Sequence, residues 1–301
     1  MKKNIAMVVH GGAGTNSVFL KKKKNEVEEG LLAALERGHN ILKKGGSALN
    51  AVEESVILLE NNPFFNAGKG STLNCQGEVE MDASIMDGRT LKAGAVSMVR
   101  NVKNPISMAR VVMNKTNHVF LSGYGALNIA KSQGIVLEPD SYFITEHQFD
   151  SFSQLNIKES TQDILKKSID GTVGAVALDK KGNVAAGTST GGTSNCLPGR
   201  IGDSCIIGSG CYANNQNCAI SGTGDGEFLI TGVIANTIAM HMELKNMTLQ
   251  EACDFVIHTR NKKGEIGVIG ITRQGDIGIS FNTKTMRYAS INTEDILAIH
   301  F

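Results

Sequence analysis

The 301-residue chain has no tryptophan, only four prolines and one block of like charge, Lys21-Lys22-Lys23-Lys24. Thirty basic residues stand against twenty-nine acidic ones, so no global field draws it to nucleic acid or to an anionic membrane. The lysine block reads as a solvated loop ahead of a helix. No run approaches the roughly eighteen apolar residues of a membrane span. Met1-Lys2-Lys3 imitates the start of a signal peptide, but the apolar run Ile5 to Val9 is too short and leads into His10-Gly11-Gly12, so it reads as a first strand. The six cysteines, Cys75, Cys196, Cys205, Cys211, Cys218 and Cys253, include no C-x-x-C pair. Scattered in this way they suggest small buried thiols in a reducing, cytoplasmic setting. H-E-x-x-H and Walker A sequences are missing, and Gly208-Ser209-Gly210-Cys211-Tyr212-Ala213 lacks the βαβ surroundings of a dinucleotide site.

What is abundant is glycine, 34 residues, marking tight turns and close backbone approaches. Asn25 to Lys44 carries an apolar stripe at Val27, Leu31, Leu35 and Leu42, and Gly45-Gly46 stops it; Ser47 caps a second helix. Glu78 to Asp87 alternates with period two, Asp87-Gly88 turns, and Leu91 to Val99 returns as a strand. Asn104-Pro105 opens a helix, and Ser122 to Gln133 is another. From about Glu138 to Asp170 the pattern weakens, with one short helix-like piece near Ile164. Val173 to Leu178 and Val184 to Thr188 then read as strands, Glu227 to Leu244 as a helix apolar all round and hence buried. Thr248 to Arg260 is amphipathic, and Ile266 to Ile271 with Ile277 to Phe281 forms a last hairpin. Strands joined by hairpins and paired helices predict an α+β fold with mainly antiparallel sheets.

The loop Lys180-Lys181-Gly182 is a three-residue hairpin connection. Pairing outward sets Asp179 opposite Asn183, Ala175 opposite Gly187, and Thr172 opposite Thr190, with Cβ atoms roughly 4.5–5.5 Å apart. By itself this is an ordinary cross-strand pair. Glycine-rich turns surround it: Gly191-Gly192, Pro198-Gly199-Arg200-Ile201-Gly202-Asp203, and Ser221-Gly222-Thr223-Gly224-Asp225-Gly226 ahead of the helix at Glu227. Arg200 and Asp203 suit the two charges of an amino acid, and a glycine turn at a helix start suits an oxyanion. Gly187-Thr188-Ser189-Thr190-Gly191 also matches a serine-hydrolase elbow, with Asp203 and His241 or His258 following. That elbow needs a helix after the serine, where Gly191-Gly192 and Pro198-Gly199 stand, and Ser189 faces away from Thr172 and Thr190. His10 reads as a structural hydrogen-bonding residue.

Gly171-Thr172-Val173-Gly174-Ala175-Val176-Ala177, Thr188-Ser189-Thr190-Gly191-Gly192, Gly199-Arg200-Ile201-Gly202-Asp203 and Gly222-Thr223-Gly224-Asp225-Gly226-Glu227 resemble the isoaspartyl peptidase / plant-type L-asparaginase family of N-terminal nucleophile hydrolases. The likeness extends to Val8-Val9-His10-Gly11-Gly12-Ala13-Gly14, Phe65-Asn66-Ala67-Gly68-Lys69-Gly70-Ser71 and Met86-Asp87-Gly88-Arg89-Thr90-Leu91-Lys92-Ala93-Gly94-Ala95. The resemblance implies a four-layer αββα sandwich and self-cleavage between Gly171 and Thr172. Residues 1–171 would form an α subunit, with a flexible linker at about 138–171, and residues 172–301 a β subunit, assembling as (αβ)₂. It implies Thr172 as nucleophile, Thr190 as its partner, and Thr223 and Gly224 at the oxyanion. Arg200 and Asp203 would hold the substrate's carboxylate and amino group, aided by Gly224, Gly226 and Asn66. No catalytic cofactor is expected, but a structural sodium ion on the backbone of Leu58, Glu60, Phe64 and Asn66 is. Gly171, where the related glycosylasparaginases carry Asp, favours β-aspartyl dipeptides and L-asparagine as substrates; a glycosylasparaginase-like amidase is the alternative, a Ser189 serine hydrolase a more distant one.

On a denaturing gel the self-cleaving reading gives two fragments, the smaller with Thr172 as its N-terminus by Edman sequencing, and Thr172→Ala leaves a single chain. A Ser189 hydrolase stays whole in both.

Overall fold

The computed structural model describes residues 4–158, 171–261 and 263–301. β1 (Ala6–Gly14) is followed by α1 (Val18–Lys22), α2 (Lys24–Lys43) and α3 (Ala48–Glu60). Lys21, Lys22 and Lys24 of the lysine block are therefore helical rather than in a loop, with Lys23 as the turn between, because Ser17 caps α1 and Lys24 already begins α2. The apolar stripe of α2 is buried as its spacing predicts, and the Ser47 hydroxyl accepts from Asn50 N at 3.2 Å to cap α3. β2 (Met81–Asp87) and β3 (Ala93–Val99) form the expected hairpin, followed by α4 (Pro105–Lys115), β4 (Phe120–Ser122), α5 (Gly123–Ser132), α6 (Asp140–Phe143) and α7 (Glu146–Lys158). The last two occupy part of the stretch that the sequence left unpatterned; the helix-like piece near Ile164 lies outside the described residues. β5 (Val173–Leu178), β6 (Val184–Thr190), β7 (Cys211–Ala213) and β8 (Cys218–Gly224) lead to α8 (Gly226–Gly232), α9 (Ile234–Lys245) and α10 (Leu249–Asp254). A π-helical turn, Phe255–Arg260, precedes β9 (Ile266–Thr272), β10 (Ile277–Phe281), β11 (Thr285–Ile291) and β12 (Leu297–His300).

Among the described residues, eight strands form one sheet in the order β12-β11-β1-β5-β6-β2-β3-β4, and four form a second, β10-β9-β8-β7. Every pairing is antiparallel except β3 with β4. Alternation along β1 sends Met7 and Val9 to the helices α2 and α3 and Ala6 and Val8 to the second sheet. Val176, Val184 and Ala186 meet Ala219, Ile269 and Ile271 between the sheets, and Ile220 and Val268 carry α9 and α10 on the far side. These are the four layers αββα. Strands buried on both faces explain why β1 and β5 read as continuous apolar runs.

Two further expectations are corrected. The segment 227–244 is not one helix buried all round: Val233 takes a left-handed conformation (φ 45°) and divides it into α8 and α9, leaving Val233 44% and Leu244 72% exposed. A four-stranded sheet can bury only one side of the helices that cover it. The hairpin of β9 and β10 is not the last, because β11 follows, pairs with β1 and turns back into a further antiparallel hairpin with β12. Among the described residues no helix is long and apolar enough to cross a membrane.

Gly174 sets how closely the sheets approach. A Cβ built there would lie 2.0 Å from Ser221 Oγ and 2.5 Å from His10 Nε2. Gly174→Ala is therefore expected to destabilise the protein by about 1–3 kcal/mol or more, read from the urea midpoint.

Candidate active site

The β5–β6 hairpin carries the centre of the site. Asp179 organises its loop, accepting from Lys181 N at 2.8 Å and Asn183 N at 3.0 Å through Oδ1, while Gly182 supplies the left-handed residue (φ 78°). Val173 pairs with Ser189, so Thr172 comes to rest opposite Thr190 as the spacing predicts. Thr172 Oγ1 donates to Thr190 Oγ1 at 3.3 Å, and both residues are buried, 5% and 3% exposed. Thr190 Oγ1 also accepts from Gly192 N at 3.1 Å.

Gly171 precedes the pair with φ 81°, and a Cβ there would sit 3.0 Å from Gly12 Cα. Strain and space both call for glycine. Its carbonyl accepts from Asn66 Nδ2 at 2.9 Å. The same amide donates to Gly192 O at 2.7 Å and accepts from Thr72 N at 2.9 Å, which fixes its orientation. From the second sheet, buried Thr223 accepts from Ala13 N at 3.2 Å, and Gly224 (φ 117°) packs so tightly that a Cβ would be 2.4 Å from Glu265 O.

Arg200 and Asp203 converge on Gly226: a Cβ there would lie 2.6 Å from Arg200 Nη2 and 3.0 Å from Asp203 Oδ1. Asp203 is buried and its Oδ2 has no hydrogen-bond partner among the described residues. Burial pushes its pKa up to about 7, against the pull of Arg200. Two acidic residues that the sequence reading missed support this corner. Asp82 accepts from Gly202 N at 2.9 Å and Met98 N at 3.0 Å, holding the turn that aims Asp203. Glu227 accepts from Arg200 Nε at 3.1 Å; against the desolvation of its site, that guanidinium holds its carboxyl down to about 2. Glu227 stands next to a glycine that the reading did name, and that adjacency was the available signal.

His10 Nε2 meets Ser221 Oγ at 2.8 Å, and Ser221 Oγ meets Thr188 Oγ1 at 2.8 Å. Burial pushes the His10 pKa down to about 3, so its ring is neutral. The elbow motif is not realised: Ser189 Oγ donates to Glu60 Oε1 at 2.7 Å, deep in the sheet, and no helix follows. His241 and His258 contact Thr237 O and Ser280 Oγ instead. Around the end of α3 the chain folds back through Gly68 (φ 54°), whose Cβ would lie 2.3 Å from Glu60 O. The Glu60 carboxyl is engaged by Ile106 N, Asn104 and Ser189, and the Asn66 carbonyl accepts from Gly191 N at 3.1 Å.

An asparaginase family profile matches residues 3–300. The isoaspartyl peptidase/L-asparaginase of Xenopus laevis is 43% identical over 292 residues, covering 96% of this chain and 93% of that protein. The protein of the same name from Homo sapiens is 43% identical over 290 residues, covering 95% and 93%. The isoaspartyl peptidase of Escherichia coli is 41% identical over 290 residues, covering 93% and 90%. With likeness running almost end to end, and glycines, threonines and an Arg–Asp pair gathered at one seam between two sheets, the chain belongs to the asparaginase family.

Proposed function

We propose that the chain cuts itself between Gly171 and Thr172 and then hydrolyses β-aspartyl dipeptides and L-asparagine, releasing L-aspartate. The observation that carries this reading is the Thr172–Thr190 hydroxyl contact beside a Gly171 carbonyl held by Asn66. In the first reaction Thr172 Oγ1 attacks that carbonyl. The amide shifts to an ester, the Thr172 nitrogen becomes a free amine, and water hydrolyses the ester. Asn66 Nδ2 already donates to the oxygen on which charge develops.

Cleavage creates the base for the second reaction. An α-amine has a pKa of about 7.7–8.0, and burial lowers it toward working pH. It takes the proton of its own hydroxyl, which attacks the substrate carbonyl; the acyl-enzyme forms, the amine leaves protonated, and water completes the cycle. Thr190 orients the nucleophile. Thr223 and the Gly224 N–H stabilise the tetrahedral oxyanion. Arg200 binds the substrate α-carboxylate and Asp203 its α-ammonium, with Gly226 leaving them room. An α-amino acid held by both charges presents its side-chain carbonyl to Thr172, which favours β-linked aspartyl compounds over ordinary peptides.

On this reading residues 1–171 and 172–301 become α and β subunits of an (αβ)₂ assembly. A sodium ion would be held by the carbonyls of Leu58, Glu60, Phe64 and Asn66, stiffening the loop that carries Asn66. Six free thiols suit a reducing compartment such as the cytoplasm.

Thr223→Ala is expected to lower kcat about 10²- to 10³-fold, measured as aspartate released by the cut enzyme. Asp203→Asn separates binding from stability. The raised folded-state pKa means that ionising Asp203 costs stability as pH rises from its unfolded value toward about 7. The variant should therefore melt at higher temperature than wild type at pH 8, with the gain fading as the pH falls toward 4. Its KM should rise about 10- to 100-fold, measured by steady-state kinetics.

A further inference from the structure

Arg287 stands beside the scissile bond, although no motif points to it. It is 5% exposed in β11, where His10 pairs with Tyr288 and Ala13 with Met286. Gly11 and Gly12 together face this one residue, a β-bulge of the kind that re-aims side chains near active sites. Arg287 Nε donates to Gly11 O at 3.0 Å and Nη1 to Asn16 Oδ1 at 2.7 Å. Both acceptors are neutral. Burial lowers its pKa to about 10, so it remains a cation at neutral pH. A buried cation bonded to neutral acceptors is costly, and tying Gly11 to Asn16 does not by itself require a charge.

A Cβ built on Gly12 would lie 2.8 Å from Arg287 Nη2 and 3.1 Å from Thr172 N. The two nitrogens are thus no more than about 6 Å apart, within the range of roughly 4–6 Å over which a like charge disfavours protonation. Thr172 N is anchored by β5, since Val173 pairs with Ser189, so it keeps its place when the preceding bond is cut.

We propose that Arg287 is a positioning residue acting through the Thr172 amine: its fixed positive charge keeps the freed α-amino group unprotonated and ready to accept the hydroxyl proton. The assignment rests on the self-cleaving reading above. The other groups around the amine do not supply this charge. His10, from β1, is neutral; Arg200, from the loop before β7, is paired through its Nε with Glu227, and Asp203, raised to about 7, adds no positive charge in either protonation state; Asn16, Asn66, Thr190 and Thr223 carry none.

Mass spectrometry first establishes whether wild type is cut before Thr172; an intact chain would overturn the self-cleaving reading and this assignment with it, whereas on a cut chain the measurements below test the assignment alone. On the cut enzyme, the Thr172 amine is titrated by NMR of ¹³C-threonine-labelled protein, and the acid limb of kcat is recorded, where bound substrate already engages Asp203. The wild-type midpoint is expected at least about one unit below the free-amine range of 7.7–8.0. Arg287→Gln should raise it by about 1–2 units, while Arg287→Lys, which keeps the charge, leaves it in place. Where Arg287→Gln stays uncut, Arg287→Met is the neutral comparison. A wild-type midpoint within or above the free-amine range overturns the proposal, as does a neutral variant that loses kcat with its midpoint unmoved.

Discussion

The site depends on the register of one hairpin. Because β5 and β6 are joined by a three-residue loop pinned by Asp179, Val173 must pair with Ser189, and the residues one step beyond must face each other. A slip of one residue would turn Thr172 and Thr190 to opposite faces. The two faces differ sharply here: Ser189 is bonded to Glu60 within the sheet, whereas the threonines open onto the seam between the sheets. The neighbouring strands reinforce the choice. β1 lies against β5 with His10 beside Gly174, and β2 lies against β6 with Asp82 beside Thr190.

The seam is narrow because glycines line it, and its narrowness sets the charge states within it. Gly174 lets Ser221 and His10 meet across the sheets, and burial there holds the imidazole neutral. The same desolvation raises Asp203 to about 7 and, among the described residues, leaves its Oδ2, beside Gly210, without a partner, while Oδ1 lies toward Gly226. A carboxylate in that condition gains a partner when an ammonium enters, so binding offsets part of the cost of burying it. Arg200 is better compensated, through Glu227. On the proposed reading, this asymmetry suits the Arg–Asp corner to a zwitterionic substrate.

Sequence patterning located α2, α3 and the β2–β3 hairpin because their apolar residues repeat at the periods of helix and strand and their ends carry Ser47, Gly45 and Asp87-Gly88. It passed over β11 because a buried arginine occupies the middle of that strand. It merged α8 with α9 because composition records apolarity without direction, while the break depends on the backbone of Val233. Asp82 escaped notice for another reason: it lies 120 positions from Gly202, which it holds, and no local pattern spans such a distance.

The sequence by itself determined the hairpin, the glycine that must precede Thr172, the pairing of that threonine with Thr190, and the membership that the ordered motifs imply. These follow from short-range geometry, in which loop length and side-chain alternation leave little freedom. Only the tertiary structure decided which groups stand around the pair. Asn66 on the Gly171 carbonyl, Thr223 against Ala13, the unpartnered oxygen of Asp203 and the guanidinium of Arg287 all come from strands and loops brought together by sheet packing. Charge states belong to this second class as well, because they depend on how much water the assembled layers exclude.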